Sequence, residues 1–143
     1  MSVDEKAFGR NSALEHIDVT PGNSEYRAID GVLFDKEGKK LVRYPKGKVD
    51  KTYCVPEGVE KICQYAFEGC KRLEEVIILD GVEVIEREAF LNCEVLRDIE
   101  ISETVVDIFD NAFRNCQNLT IHAPSDSVAK QYADKHDIAF IQF

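Results

Sequence analysis

The sequence predicts a solenoid, one short unit stacked on copies of itself, with β-strands dominating each coil. Three observations carry that prediction. The segment A-F-x-x-C-x-x-L occurs three times at a period of 23 residues, starting at Ala66, Ala89 and Ala112. Ahead of each copy stands V-x-x-I, as Val59/Ile62, Val82/Ile85 and Val105/Ile108. Behind it comes an apolar alternation, Val76-x-Ile78 and then Ile99-x-Ile101. A fixed short period means that each unit buries its apolar side against its neighbours, because so short a unit cannot enclose a core alone.

The elements follow in chain order. Ala7-Phe8-x-x-Asn11-x-x-Leu14-x-x-Ile17-x-Val19 reproduces the pattern with Asn in place of Cys, and Val3 falls where Ile62 does, so residues 1–19 read as a partial repeat. Val32-Leu33-Phe34 and Leu41-Val42-Arg43-Tyr44 flank the polar stretch Asp35-Lys36-Glu37-Gly38-Lys39-Lys40. Residues 20–53 therefore read as an expanded repeat carrying a β-hairpin with a Gly-containing turn. Tyr53-x-Val55 supplies the first strand of the regular array, residues 54–122. In each regular coil the alternating segment is a strand with one face inward, and successive copies pair in parallel at roughly 4.8 Å. The A-F-x-x-C segment is too short for a long helix and reads as one helical or 3₁₀ turn at a corner, with Phe as an inward wedge. Phe67, Phe90 and Phe113, Leu73, Leu96 and Leu119, and Cys70, Cys93 and Cys116 then form structural ladders. The count comes to about five coils, one of them expanded.

Residues 123–143 read as a cap. Ala123-Pro124-Ser125-Asp126 breaks the repeat and offers N-cap side chains; Val128, Ala129, Tyr132 and Ala133 follow at helical spacing, and Ile138 to Ile141 form a last strand. A cap is needed because an exposed final coil leaves an unpaired edge and bare apolar surface. No matching cap opens the chain, so this reading expects the C-terminal piece of a longer array.

The repeat resembles the BspA-type leucine-rich repeats, which occur on surface proteins of anaerobic bacteria and of some mucosal protozoa. The resemblance rests on A-F-x-x-C-x-x-L-x-x-I-x-I followed by V-x-x-I at period 23. It extends to Ile29-Asp30-Gly31-Val32-Leu33-Phe34, which looks like that family's hairpin module, and to the tail from Leu119 to Phe140. It implies a leucine-rich repeat solenoid, a right-handed, β-dominated α/β superhelix over residues 1–143 as a single domain. It also implies adhesion or protein–protein recognition and brings no catalytic motif. The chain departs from the commoner pattern in its acidity and in Leu79 and Ser102, where Pro often follows the strand.

Composition bounds the function classes. Hydrophobic residues make up 44% of 143 residues, enough for one core. No run of about 20 apolar residues spans a membrane, and the first residues, with Asp4 and Glu5, carry no signal peptide. The net charge of −9 argues against nonspecific nucleic-acid binding and against an anionic membrane surface. Outward positions of the strand ladder include Glu15 and Asp18, Glu74 and Glu75, then Asp98 and Glu100, with Ile77 an apolar residue among them. Glu74, Glu75, Ile77, Asp98 and Glu100 are the candidate partner-binding residues, set against the alternative that the stripe is a solvated face.

The five cysteines are an odd count serving the repeat, so the reading is buried thiols rather than disulfides. No C-x₂₋₄-C pair exists and Cys116 with His122 has the wrong spacing, so no metal and no cofactor is expected. Cys54 points outward beside Tyr53. His16, His122 and His136 stand apart from any nucleophile at a matching repeat position, so no catalytic residue is assigned. Two function classes stay open. One is a cell-surface or secreted recognition module, part of a longer chain, whose partner is a protein of unknown identity such as a host or matrix protein. The other is an intracellular scaffold or regulatory domain, consistent with unpaired thiols in the cytoplasm.

Overall fold

The structure is a computed structural model that describes residues 13–143. The repeat start expected at Val3 and at Ala7-Phe8-x-x-Asn11 lies outside the described residues. Among the described residues the first strands form an antiparallel meander of β1 (Tyr26–Ile29), β2 (Val32–Asp35) and β3 (Lys40–Arg43). The hairpin expected from Val32 to Tyr44 thus gains a strand on its outer edge. Asp30 and Gly31 join β1 to β2 with φ of 51° and 79°, the left-handed pair that a two-residue hairpin turn requires.

Two kinds of strand then alternate: β4 (Thr52–Cys54), β5 (Lys61–Ile62), β6 (Glu75–Ile78), β7 (Val84–Ile85), β8 (Asp98–Ile101), β9 (Asp107–Ile108) and β10 (Thr120–Ala123). The cap adds α1 (Val128–Lys135) and β11 (Ala139–Gln142). One sheet runs in the order β11-β10-β8-β6-β4, all parallel; the other runs β1-β2-β3-β5-β7-β9. The V-x-x-I segments therefore end in two-residue strands of a second sheet. The hairpin is not an appendage to that sheet, because β3 pairs with β5 in parallel, Leu41 beside Ile62, and occupies a rung of it.

Alternation turns Val76, Ile78, Ile99, Ile101, Ile121 and Ala123 of one sheet and Leu41, Ile62, Ile85 and Ile108 of the other into a single buried cluster. At each corner Ala66 N–H donates to Cys63 O (3.1 Å), Glu68 N–H to Tyr65 O (3.1 Å) and Cys70 N–H to Phe67 O (3.3 Å). These are 3₁₀-type turns strung together rather than a helix. Corners are tied coil to coil: Tyr44 N–H donates to Ala66 O (2.7 Å), Phe67 N–H to Ala89 O (2.7 Å) and Phe90 N–H to Ala112 O (2.8 Å).

The inward wedges stack. Phe67 and Phe90 are 4.6 Å apart at 4°, and Phe90 and Phe113 are 5.0 Å apart at 16°. Tyr44 extends the column at one end, 5.2 Å from Phe67, and Tyr132 of α1 closes it edge-on against Phe113 at 5.7 Å. Leu73, Leu96 and Leu119 are buried in register with them. Cys93 Sγ donates to Phe67 O (3.0 Å) and Cys116 Sγ to Phe90 O (2.9 Å), so the thiols satisfy corner carbonyls. Burial holds the Cys93 thiol well above its ordinary pKa; the hydrogen bond with Cys93, and then burial, does the same for Cys116.

The ends differ from the sequence reading in two respects. Residues 14–20 form no strand; Ile17 N–H bonds Gly31 O (2.9 Å) instead, and its side chain is buried. Glu15 and Asp18 therefore stand off the strand ladder, and the described array makes about four turns rather than five. In the cap, the N-cap of α1 is Ser127, not Ser125 or Asp126, because Ser127 Oγ accepts the Lys130 N–H at 3.2 Å. Tyr132 and Ala133 face the last coil, and β11 pairs in parallel with β10 from Thr120/Ala139 to Ala123/Gln142.

Candidate recognition face

The five-stranded sheet presents its outward side chains in two registered rows. One row is Thr52, Glu75, Asp98, Thr120 and Ala139; the other is Cys54, Ile77, Glu100, His122 and Ile141. Glu75 and Glu100 are exposed, while Ile77 and Asp98 are half-buried. Ile77 thus sits one strand in from the β4 edge of the face, beside Cys54 on one coil and Glu100 on the next.

Glu74 takes a different position. It lies one residue ahead of β6, where consecutive residues of extended chain face opposite ways. There it bridges Arg97 at 2.8 Å and Lys51 at 3.8 Å, both one period away. That margin is a neutralised charge ladder. Asp98 is engaged too, since His122 Nε2 lies 2.8 Å from its Oδ1. The sequence reading weighs His122 only against Cys116, as a metal pair of the wrong spacing. Leu119 and Ile121 stand two residues apart where Leu73/Val76 and Leu96/Ile99 stand three apart, and with the last copy one residue shorter His122 pairs with Glu100 and reaches Asp98.

Glu75 and Glu100 have no ion-pair partner among the described residues. The same holds for three acids that the sequence reading passed over, Glu57, Asp80 and Glu103, in the turns that follow the strands. Their signal was available, because they recur at the repeat period, 23 residues apart. Asp80 accepts a short hydrogen bond from Ser102 Oγ. These acids rim a groove of about 530 Å³ that Leu79, Pro124 and Phe143 also line. Leu79 is 42% exposed and Phe143 59%.

A groove of about 700 Å³ lies between the last corner and α1, lined by Asp110, Arg114, Tyr132 and His136 among others. Its Asp110 carboxylate is already engaged. Lys135 bonds Asp110 at 3.0 Å and holds that carboxyl below the usual carboxylate range, with His136 3.8 Å away. Among the described residues no cluster of three His, Cys, Asp or Glu side chains is arranged to hold a metal, and no helix is long and apolar enough to cross a membrane. All five cysteines are free, and Cys54 is exposed.

Parallel strand ladders closed by short corners, with a continuous aromatic column inside and a patterned outer face, define a leucine-rich repeat solenoid. A family model described as the BspA-type leucine-rich repeat region (6 copies) matches residues 50–133. The chain belongs to that family. Among solved structures, a leucine-rich repeat protein from Eubacterium ventriosum is 30% identical with a TM-score of 0.75, over 85% of this chain and 32% of that one. The pneumococcal vaccine antigen PcpA is 18% identical with a TM-score of 0.47, over 90% of this chain and 50% of that one. A leucine-rich cell surface protein from Faecalibacterium prausnitzii is 26% identical with a TM-score of 0.38, over 78% of this chain and 42% of that one. The chain therefore spans about a third of the length of the Eubacterium protein. No curated protein matches it in sequence.

Proposed function

We propose that this chain is a non-enzymatic protein-recognition module that binds through the strand-lined face, as part of a cell-surface or secreted leucine-rich repeat protein. The observation that carries the reading is the registered pair of outward rows, with the apolar Ile77 set among them and Glu75 and Glu100 without ion-pair partners among the described residues. A face of parallel rungs is held rigid by its own ladder, so little side-chain and backbone ordering opposes association. A half-buried apolar anchor ringed by polar groups matches how binding energy concentrates in interfaces. The family's occurrence on surface proteins supports placing the partner outside the cell, as a host or matrix protein. Residues 1–143 act as one domain: a partial repeat (1–19), an expanded repeat (20–53), regular repeats (54–122) and a cap (123–143).

A second reading, an intracellular scaffold, is favoured by one observation, the five free thiols. Surface protease shaving of source cells, followed with an antibody to this domain, separates the two. Loss of the antigen from intact cells supports the surface reading, and full protection in the cytosol contradicts it. The binding face is tested by immobilising host-surface and matrix proteins and comparing wild type with Glu75→Lys/Ile77→Ser. Loss of binding in the variant supports the strand face; unchanged affinity contradicts it.

A further inference from the structure

We propose that the groove at the ends of β6, β8 and β10 takes a short basic segment of a partner protein. Lys or Arg side chains would lie along the acidic rim, with one apolar side chain against Leu79 and Phe143. This rests on the reading that the strand-lined side recognises protein, and it names the partner's chemistry.

Four observations converge. The groove, about 530 Å³, is of the size that buries a few side chains rather than a whole domain. Its apolar part is open, since Leu79 and Phe143 are the exposed large hydrophobics at this margin. Leu79 is there because the turn that follows β6 carries it where β4 is followed by Pro56, one period earlier. The rim is uniformly acidic: Glu57, Asp80 and Glu103 come one from each successive coil, and Glu100 joins them from β8. Like charges stacked on neighbouring rungs repel one another, and a cation laid along them relieves that repulsion. Finally, no neighbouring cation neutralises the rim, a state it shares with Glu75, Glu83, Glu88, Glu94 and Asp107 among the described residues. Glu60, Glu68, Glu74, Glu86 and Asp110 elsewhere on the molecule each have Lys or Arg within 4.0 Å, whereas the rim acids have none among the described residues.

The same features select the occupant. A divalent ion would need ligands converging on a point, and the described residues hold no such cluster; the rim acids are instead spread along a line of coils. Leu79 and Phe143 add a demand that a purely polar cation does not meet. A basic segment with an apolar anchor meets both.

The test uses the whole chain and three fluorescent peptides: Lys and Leu alternating, the same with Ala for Leu, and Glu and Leu alternating. The Lys–Leu peptide is expected to bind, and the Glu–Leu peptide not to. The Ala version should be weaker by at least about fivefold, and affinity should fall at least about tenfold from ~50 to ~300 mM salt, because the rim is solvent-exposed. Glu57→Lys/Glu103→Lys and, separately, Leu79→Ser should each lose at least about tenfold. These side chains are exposed, and thermal melts check that the variants fold. Val106→Ser, an exposed position outside the groove, should stay within about twofold of wild type.

No binding of the Lys–Leu peptide, equal binding of the Glu–Leu peptide, or unchanged affinity in both groove variants would overturn the groove. None of these results touches the strand-face reading, which stands or falls on the Glu75→Lys/Ile77→Ser comparison with immobilised proteins. Wild type that self-associates at low salt, and that Lys36→Glu/Lys40→Glu makes monomeric, would overturn the partner peptide in favour of a second copy's hairpin.

Discussion

The regular repeats and the expanded repeat before them share one core but handle charge and buried polarity differently. Residues 54–122 carry 15 Asp and Glu against six Lys and Arg, whereas residues 20–53 carry five against eight. Within the regular coils each buried polar group has a repeated answer. Cys93 and Cys116 donate to the Phe67 and Phe90 carbonyls, and corner N–H groups donate to the next coil. At the junction with the meander the answers run out. The Tyr44 and Tyr53 hydroxyls are buried without a hydrogen-bond partner among the described residues, and their rings meet at 4.9 Å. Arg43 is buried beside Glu68 at 3.7 Å, and desolvation lowers its pKa. A unit copied at one period repeats a solved packing problem, while a meander that must turn parallel solves its own once.

The largest expected effect lies inside the array. Phe90→Ala removes the ring between Phe67 and Phe113 and should cost about 3–5 kcal/mol in urea unfolding. A loss below about 1 kcal/mol would break the picture of a continuous column. In the meander, the sensitive point is backbone rather than ring. Gly31 has φ of +79°, and an added Cβ would run into the His16 ring. Gly31→Ala should therefore cost about 1–3 kcal/mol in the same assay, and a neutral result would mean that this turn is not held as described.

A pH series sharpens the comparison further. Folding raises the pKa of Cys93 and Cys116 above the ordinary thiol value of 9.0, and burial pushes Tyr132 up to about 12. The folded state thus binds these protons more tightly than the unfolded chain. Their contribution is complete below pH 9 and is lost as pH rises beyond it. The urea midpoint should fall between pH 8 and about 10.5, and less steeply in Cys93→Ala/Cys116→Ala. An equal fall in that variant would move the effect away from the array thiols.

The smallest effect belongs to the junction. Tyr44→Phe keeps the stacked ring and deletes an unpartnered hydroxyl, so stability should stay level or rise by up to about 1 kcal/mol. A loss above that would show that the hydroxyl has a partner.

What the sequence made legible follows the same division. Phe67, Phe90, Phe113 and their Leu and Cys companions stand out because a repeated burial environment demands a repeated residue. The cap helix is legible from Val128, Ala129, Tyr132 and Ala133, since an amphipathic face must match 3.6 residues per turn. β1 was not legible, because Tyr-Arg-Ala-Ile at its positions is only partly buried and shows no alternation. β5, β7 and β9 are two residues long, too short for any period to register. Tyr44 was readable in principle, one period ahead of Phe67, but its neighbours do not carry the A-F motif. On the face, Glu74 and Glu75 looked alike as letters, and only strand alternation separates the paired one from the free one. Glu57, Asp80 and Glu103 recur at the period, but an exposed position makes no burial demand that would mark them as a ladder.

On the proposed function, recognition belongs to the strand face of the acidic array and not to the basic meander. The most direct measurement compares wild type, Glu75→Lys/Ile77→Ser and Lys36→Glu/Lys40→Glu for binding to the same immobilised host and matrix proteins. Binding is expected to be lost in the first variant and kept in the second. Binding kept by the strand-face variant and lost by the meander variant would contradict it.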